Sequence, residues 1–201
     1  MTSSLADLSD AELVALCQAR LPDDTRAFRT LVRRYQQKVF ATCYRIMGNH
    51  QDAEELTQEV FLKVYQSLGR FEGRSTFSTW LYAIAVNACR NAIRKRERRA
   101  PISDITIDEL DEVLPGRALD PRDVFSARER SERLQSALDA LDDDSRAILV
   151  LREIDGLPYR EIAEILKLSL SATKMRIHRA RHAWRAQLNR LMEQDSEGSH
   201  G

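Results

Sequence analysis

The sequence predicts an all-α protein of two small helical domains that are joined by an extended acidic linker. Apolar residues recur at helical spacing over most of the 201 residues, and no segment alternates as a half-buried strand does. Glycine and proline, which interrupt helices, number only 7 and 5. Three of the prolines lie in one acidic stretch near the middle of the chain, which therefore separates two helical halves.

The first half predicts four helices in succession. Ser9 stands three residues before Glu12, the spacing of a capping box, and predicts a helix that ends before Pro22. Apolar periodicity then predicts a second helix over about 28–47 and a third over about 51–68. A fourth helix begins near Thr76 or Phe77 and continues into a basic block.

The second half predicts four further helices. The first begins at a capping-box spacing at Ser126, and the second follows three aspartates that suit a helix N-terminus. Pro158 suits the first position of a short helix that ends at Leu166. About three residues separate it from a last helix that runs to about Met192, so this pair has helix-turn-helix form.

Charge is segregated along the chain although its total is zero, with 31 basic and 31 acidic residues. Residues 90–99 hold six basic residues and one acid, and residues 171–192 hold six basic residues and no acid. Residues 101–125 hold seven acids and two arginines. The zero total excludes a uniformly basic coat, but the two basic blocks indicate an anionic partner, unless they are simply solvated helix faces.

These patterns predict four parts of the chain. Residues 1–100 form the first helical domain, 101–126 the acidic linker, 127–192 the second domain, and 193–201 a disordered polar tail.

The last helix has two different faces at about 100° per residue. The apolar face must be buried against the domain, and it consists of Ile177, Ala180, Trp184, Leu188 and Leu191. The opposite face is centred on Met175, His178, Arg179 and His182. A solvated helix normally mixes acids with its bases, whereas a helix that binds DNA phosphates has a reason to exclude them.

Several classes of protein are excluded by the sequence. No run of about 18 apolar residues occurs, and acids interrupt the N-terminal apolar stretch, so we expect neither membrane insertion nor a signal peptide. Cys17, Cys43 and Cys89 are widely spaced in apolar helices, which predicts buried free thiols in the cytoplasm. No catalytic or metal-ligand spacing occurs apart from the arginine-flanked pair His178 and His182, so we expect no enzyme, no metal and no cofactor.

Three segments together resemble bacterial RNA polymerase sigma factors of the extracytoplasmic-function type, in the sigma-70 family. Residues 52–61 (DAEELTQEVF) are similar to the conserved helix of region 2. Residues 76–87 (TFSTWLYAIAVN) are similar to the promoter-melting segment that follows it. Residues 151–163 with 177–181 are similar to region 4, and the resemblance extends over residues 9–191 in one order.

The resemblance implies a transcription initiation factor that binds core RNA polymerase and directs it to promoter DNA. Its partners would be the β′ coiled coil and the β flap of the polymerase, and an anti-sigma factor that holds it inactive. The first domain would be region 2, a helical bundle, and the second would be region 4. The residues implied in core polymerase binding are Asp52, Glu54, Glu55, Gln58, Glu59 and Phe61.

The same resemblance assigns two sets of residues to DNA. In region 2, the minus-ten element would be opened and held by Phe71, Arg74, Ser75, Thr76, Phe77, Trp80, Tyr82, Asn87, Arg90, Asn91 and Arg94. Either Phe77 or Trp80 is expected to be core instead, because the helix needs an apolar stripe. In region 4, the minus-35 element would be contacted by Tyr159, Arg160, Lys174, Met175, Arg176, His178, Arg179 and Arg181.

Two other functions compete with this interpretation. A helix-turn-helix regulator with a sensory N-terminal half would bind duplex DNA without polymerase, whereas a sigma factor acts only with the core enzyme. An enzyme is disfavoured because no nucleophile and base stand at a catalytic spacing.

Overall fold

A computed structural model describes residues 5–99 and 121–198, and every regular element in these two ranges is helical. The first range contains α1 (Asp10–Arg20), α2 (Arg26–Met47), α3 (His50–Ser67) and α4 (Phe77–Arg99). The second contains α5 (Pro121–Asp139), α6 (Asp143–Leu149), α7 (Tyr159–Leu166) and α8 (Leu170–Gly198). A 3-10 turn (Leu68–Arg70) follows α3, and a π-helical turn (Val150–Ile154) follows α6. The predicted all-α fold class is confirmed.

Local sequence signals place several helix ends as expected. The capping box of α1 is complete: the Ser9 hydroxyl accepts a hydrogen bond from the Glu12 backbone N–H, and the Glu12 carboxylate accepts one from the Ser9 backbone N–H. Helix α2 ends at Gly48, whose φ of 71° is left-handed and favours glycine. Asn49 then caps α3 by accepting a hydrogen bond from the Asp52 N–H at 2.9 Å.

Two boundaries differ from the sequence prediction. Helix α5 begins at Pro121, inside the segment predicted as linker, because proline is well suited to the first position of a helix. Helix α8 continues to Gly198, so the prediction of a disordered tail from residue 193 is wrong for residues 193–198. The residues that continue α8 include helix formers, and Gly198 is the first glycine after the helix begins. Residues 101–120 of the predicted linker lie outside the described residues.

The four helices of the first domain enclose a core of aliphatic side chains and cysteines. Cys17, Cys43 and Cys89 are fully buried and free, as predicted. Burial raises the pKa of Cys17 to about 11, and a hydrogen bond with Cys43, together with burial, raises the pKa of Cys89 above its ordinary value. Cys17 and Cys89 are therefore held protonated, and burial shields all three thiols from oxidants.

The second domain packs directly against the first. One continuous cluster of buried apolar side chains includes residues of α2, α4, α6 and α7. Helix α7 lies along α4, and the π-helical turn lies against α2. This packing brings the two predicted DNA-binding halves of the molecule into contact.

Arg146 of α6 joins the domains through backbone carbonyl groups. Its guanidinium donates to the Ile46 carbonyl in the last turn of α2 at 2.8 Å. It also donates to the carbonyls of Leu138 at 3.0 Å, Asp139 at 2.8 Å and Leu141 at 3.1 Å, around the end of α5. The carbonyls in the last turn of a helix have no partner within the helix, so one buried side chain caps two helices from different domains.

We predict that Arg146→Met lowers the free energy of unfolding by about 3 kcal/mol, because several buried carbonyls lose their donor while the apolar stem is retained. Urea denaturation followed by circular dichroism measures this change. Arg70→Met is the matched control, because Arg70 is exposed and follows α3 on the surface. Equal destabilisation by the two variants would contradict the capping role of Arg146.

Candidate nucleic-acid and protein interfaces

Helix α8 exposes the face that the sequence predicts for DNA. Ile177 and Ala180 are each 1% exposed and face the core, whereas Met175 on the other side is 50% exposed. The Ser169 hydroxyl caps this helix by accepting a hydrogen bond from the Ala172 N–H at 3.1 Å. The predicted minus-35 residues that lie exposed on α8 are Lys174, Met175, Arg176, His178 and Arg179.

The other predicted minus-35 residues lie beside this face in two different environments. Arg160 is exposed at the start of α7. Arg181 pairs with Glu153 at 2.7 Å, and this contact raises the pKa of the Arg181 guanidinium above its ordinary value. The guanidinium of Arg152 lies 4.6 Å from the ring centre of Tyr159. Arg160 is therefore accessible to an anion such as a phosphate. Arg181 must first break its ion pair with Glu153 before it can bind one.

The loop before α4 presents a mixture of polar and aromatic side chains. Thr76 caps α4 by accepting a hydrogen bond from the Thr79 N–H at 3.1 Å, and Ser75 beside it is half-buried. The rings of Phe71 and Trp80 are both half-buried, with their centres 4.9 Å apart. A pair of partly exposed aromatic rings beside small hydroxyl groups suits the stacking of unpaired bases.

Two predicted minus-ten residues are in the interior instead. Phe77 and Tyr82 are each 4% exposed, so their side chains are not presented to DNA in this arrangement. Phe77 packs against the ring of Tyr35 at 5.6 Å, and burial raises the pKa of Tyr82 to about 12. The expectation that either Phe77 or Trp80 belongs to the core holds for Phe77, because position 77 is on the apolar stripe of α4.

The rest of α4 carries the other predicted minus-ten residues. Asn87, Asn91 and Arg94 are exposed and stand at four- and three-residue intervals, so they form one line along the helix. Arg90 is half-buried and pairs with Asp144 of α6 at 2.7 Å. In the preceding loop, Arg74 is exposed and pairs with Glu72 at 2.6 Å.

Acidic side chains of the second domain cover part of α4, which sequence reasoning did not anticipate. Asp144 contacts Arg90 and also Arg176 of α8, at 3.4 Å. Glu161 of α7 accepts a hydrogen bond from the buried Thr79 hydroxyl at 3.0 Å. No sequence pattern signals these pairs, because their partners are 54 and 82 positions apart.

Asp155 is a half-buried carboxyl group between the domains. Its two oxygens accept from the Thr42 hydroxyl of α2 at 3.0 and 3.1 Å. Burial raises the pKa of Asp155 to about 6, although the hydrogen bond from Thr42 and the charge of Lys38 act in the opposite direction. This carboxyl group therefore titrates near neutral pH at the domain interface.

Helix α3 exposes an acidic stripe on the side away from its apolar face. Four of the residues predicted to bind polymerase are exposed: Glu54, Glu55, Gln58 and Glu59. Asp52 and Phe61 are half-buried. The stripe continues to Leu62, which is 56% exposed. The sequence prediction of polymerase-binding residues did not include Leu62. Its spacing from Gln58 and Glu59, opposite the buried Val60 and Val64, is the sequence signal that marks it.

Within residues 5–99 and 121–198 no group of histidine, cysteine and acidic side chains is placed to hold a metal ion. The rings of His178 and His182 lie 6.2 Å apart. No helix within the same ranges is long and apolar enough to cross a membrane.

Comparison with known proteins assigns both domains to one family. The family model for Sigma-70 region 2 matches residues 31–99, and that for Sigma-70 region 4 matches residues 131–183. The RNA polymerase sigma-H factor of Pseudomonas aeruginosa is 36% identical over 183 residues, which cover 89% of this chain and 93% of that protein. The ECF RNA polymerase sigma-E factor of Escherichia coli K12 is 37% identical over 180 residues, which cover 88% and 92%.

Two solved structures share this fold. CnrH in complex with the cytosolic domain of CnrY matches with a TM-score of 0.64 and 28% identity, over 92% of this chain and 98% of that one. The sigma factor RpoE of Bartonella quintana, in complex with the anti-sigma factor NepR, matches with a TM-score of 0.63 and 26% identity, over 81% and 96%.

A region 2 bundle followed by a region 4 helix-turn-helix defines the sigma-70 class of transcription initiation factors. Within that class, the chain belongs to the extracytoplasmic-function sigma factors. It directs RNA polymerase to promoters and is not an enzyme.

We predict that Asp155→Asn stabilises the protein by roughly 3 kcal/mol at pH 7 and by less than about 1 kcal/mol at pH 4. The folded state keeps the Asp155 proton at pH values where the unfolded chain has lost it. Wild-type stability therefore falls as the pH rises from about 4 to 6. The difference between the variant and the wild type isolates this group from all other titrations.

Urea denaturation at pH 4, 5, 6 and 7 measures this difference. Asp23→Asn is the control, because Asp23 is exposed in the loop before α2. A difference that stays constant across the pH range would show that Asp155 does not titrate there.

Proposed function

We propose that this sigma factor contacts the minus-35 element with α8, the minus-ten element with the loop before α4 and the exposed line of α4, and core polymerase with α3. The observation that carries the proposal is the exposed face of α8. Within residues 171–192, six basic residues and no acid occur, and Ile177 and Ala180 on the apolar side are buried in the core. Such a face fits the negatively charged major groove of DNA.

The side chains on α8 suggest distinct tasks at the minus-35 element. Arg179 is exposed and can form two parallel hydrogen bonds to one guanine edge. Met175 has no hydrogen to donate, so an apolar contact with a thymine methyl group suits it. Lys174 and Arg176 flank them, and phosphate contacts by these residues and Arg160 would fix the register of the helix.

The minus-ten element would be held as a single strand. Phe71 and Trp80 offer rings for stacking, and Ser75 and Thr76 offer hydroxyl groups for base edges. Asn87, Asn91 and Arg94 would bind the neighbouring backbone. Phe77 and Tyr82 support this surface from the interior, which changes their role from base contact to positioning.

The acidic stripe of α3 is suited to a basic polymerase surface. Glu55 and Gln58 are exposed, and Leu62 adds an apolar contact in line with them. We assign this stripe to the β′ coiled coil of the core enzyme, and region 4 to the β flap. An interface with complementary charges and a central apolar residue favours both rapid association and stable docking.

The relatives support proposals for the regulation and the location of this protein. CnrH and the Bartonella quintana RpoE are bound to CnrY and NepR, the second of which is named an anti-sigma factor. By this likeness an anti-sigma factor is a partner of the present chain. The protein would act in the cytoplasm, where core polymerase and promoters are found.

Run-off transcription with purified core polymerase tests the function as a whole. Genomic fragments are transcribed with and without the protein, and products that start at one position only when it is present are expected. Binding of duplex DNA in the absence of polymerase, without any promoter-dependent product, would instead favour a helix-turn-helix regulator.

We predict that Arg179→Ala costs about 1–3 kcal/mol of binding at the cognate minus-35 element and relaxes specificity at one position. Holoenzyme binding to promoters with single base changes measures both effects. Arg190→Ala, about three turns further along α8, removes the same charge from an exposed position and is expected to leave specificity unchanged. An unaltered base preference in Arg179→Ala would exclude this placement of the helix.

We predict that Glu55→Lys weakens binding to core polymerase by at least about tenfold, because it puts a positive charge opposite a basic surface. Glu55 is exposed, so thermal unfolding should not change. Asp23→Lys makes the same reversal away from α3 and serves as the control. Fluorescence anisotropy of labelled protein with core enzyme gives both affinities, and equal affinities would place the docking surface elsewhere.

A further inference from the structure

The region 2 bundle has an arginine-rich cavity that is separate from the surfaces described above. It has a volume of about 610 Å³ and lies between the N-terminal segment and the first two turns of α2. Leu5 is one lining residue on the N-terminal side. Four arginines line the α2 side: Arg26, Arg29, Arg33 and Arg34.

Hydrogen bonds fix the wall of this cavity. The Arg34 guanidinium donates to the Leu8 carbonyl at 2.8 Å and the Ala6 carbonyl at 3.2 Å. It also pairs with Asp10 in the first turn of α1. The N-terminal segment is thereby held against α2, so the cavity is a shaped concavity and not a gap beside a loose end.

Two of the four arginines lack a counter-charge. Asp24 pairs with Arg26 at 2.8 Å, and Asp10 pairs with Arg34. Arg29 and Arg33 are exposed, and within the described ranges of the chain neither has an ion pair. Like charges four residues apart on a helix repel each other, so this arrangement favours an external anion between them. Two guanidinium groups over a concave surface suit phosphate oxygens, which they bind through paired hydrogen bonds.

Asp10 and Tyr35 link the wall of the cavity to the start of α4, which follows the loop assigned to the minus-ten element. Tyr35 follows Arg34 and donates its phenolic hydrogen to the same Asp10 carboxylate. The Tyr35 ring packs against Phe77, the first residue of α4, with ring centres 5.6 Å apart. This chain of contacts connects the cavity wall to the N-terminal end of α4, whereas the basic block of residues 90–99 is at the other end. Helix α4 has 23 residues and is about 34 Å long.

We infer that Arg29 and Arg33 bind backbone phosphates of the displaced non-template strand, just downstream of the bases held by the loop. This inference rests on the proposed function. In the proposed complex, duplex phosphates lie on the basic C-terminal end of α4, and the unpaired bases lie in the loop at its N-terminal end. The non-template strand therefore runs along the helix from the C-terminal end to the N-terminal end. A strand that continues in this direction passes the N-terminal end of α4 and reaches the arginine cavity.

Holoenzyme binding to two promoter forks tests the inference. Both forks carry the same upstream duplex. In the short fork the non-template strand ends with the last base of the minus-ten element, and in the long fork it continues for several nucleotides. Fluorescence anisotropy at several salt concentrations gives the affinity and the number of ions released.

The double variant Arg29→Gln with Arg33→Gln should lose on the order of tenfold in affinity for the long fork and nothing for the short fork. The salt slope on the long fork should fall by about 1.4, which corresponds to two single-strand phosphates. Arg29→Lys with Arg33→Lys keeps both charges and should retain most of the slope. Arg130→Gln with Arg133→Gln changes the net charge equally at exposed positions of α5, away from the cavity, and should match the wild type on both forks.

Each other outcome overturns the inference. The inference is wrong if the double variant keeps the full difference in affinity between the long and the short fork. It is also wrong if the double variant loses affinity equally for both forks. Poly-glutamate could bind to the wild type but not to the double variant while fork binding is unchanged, which would assign the cavity to an acidic protein segment. The proposed function fails separately, if wild-type holoenzyme binds neither fork and gives no run-off product.

Discussion

The arrangement of the two domains depends on one buried cation. Arg146 sits in the first turns of α6 and supplies hydrogen bonds to carbonyls at the ends of α2 and α5, where helices have none of their own. A buried guanidinium is stable only if its N–H groups donate hydrogen bonds. Here they donate to backbone carbonyl oxygens of both domains. The position of α6 is thus fixed relative to α2, and the π-helical turn, α7 and α8 follow from it along the chain.

This arrangement decides which parts of the DNA-binding surfaces are free. The exposed face of α8 and the line of Asn87, Asn91 and Arg94 on α4 are open to solvent. Thr79, Tyr82 and Arg90 are instead covered or paired by the second domain. The region 2 surface is therefore divided along α4, with its inner residues serving the domain interface and its outer residues available to a ligand.

Sequence periodicity was sufficient for most of the fold. The burial of Ile177 and Ala180 and the exposure of Arg179 follow from a 3.6-residue repeat, because a helix face is a local property. The closeness of Tyr82 to Asp155 could not be predicted in this way. Its environment depends on Asp155, which is 73 positions further along the chain and comes close only when the domains pack.

Candidate sites formed by residues far apart in the sequence could not be predicted either. The charge count of residues 90–99 treats Arg90 as free, although Asp144 pairs with it. The arginines of α2 gave no signal as a group, because the cavity exists only when the N-terminal segment packs on α2. Most helix ends could be predicted from the sequence. The exceptions are the start of α5, which begins earlier at Pro121, and the end of α8, whose polar terminal residues include good helix formers.

Asp144 has a further consequence for the way this molecule meets DNA. Its carboxylate lies between Arg90 of one domain and Arg176 of the other, where a phosphate group could lie. It is tethered to the same molecule, so its effective concentration at both arginines is high. Any nucleic acid that approaches these arginines competes with an internal ligand. Weak, sequence-independent contacts are therefore disfavoured more than contacts that are supported by the rest of a promoter.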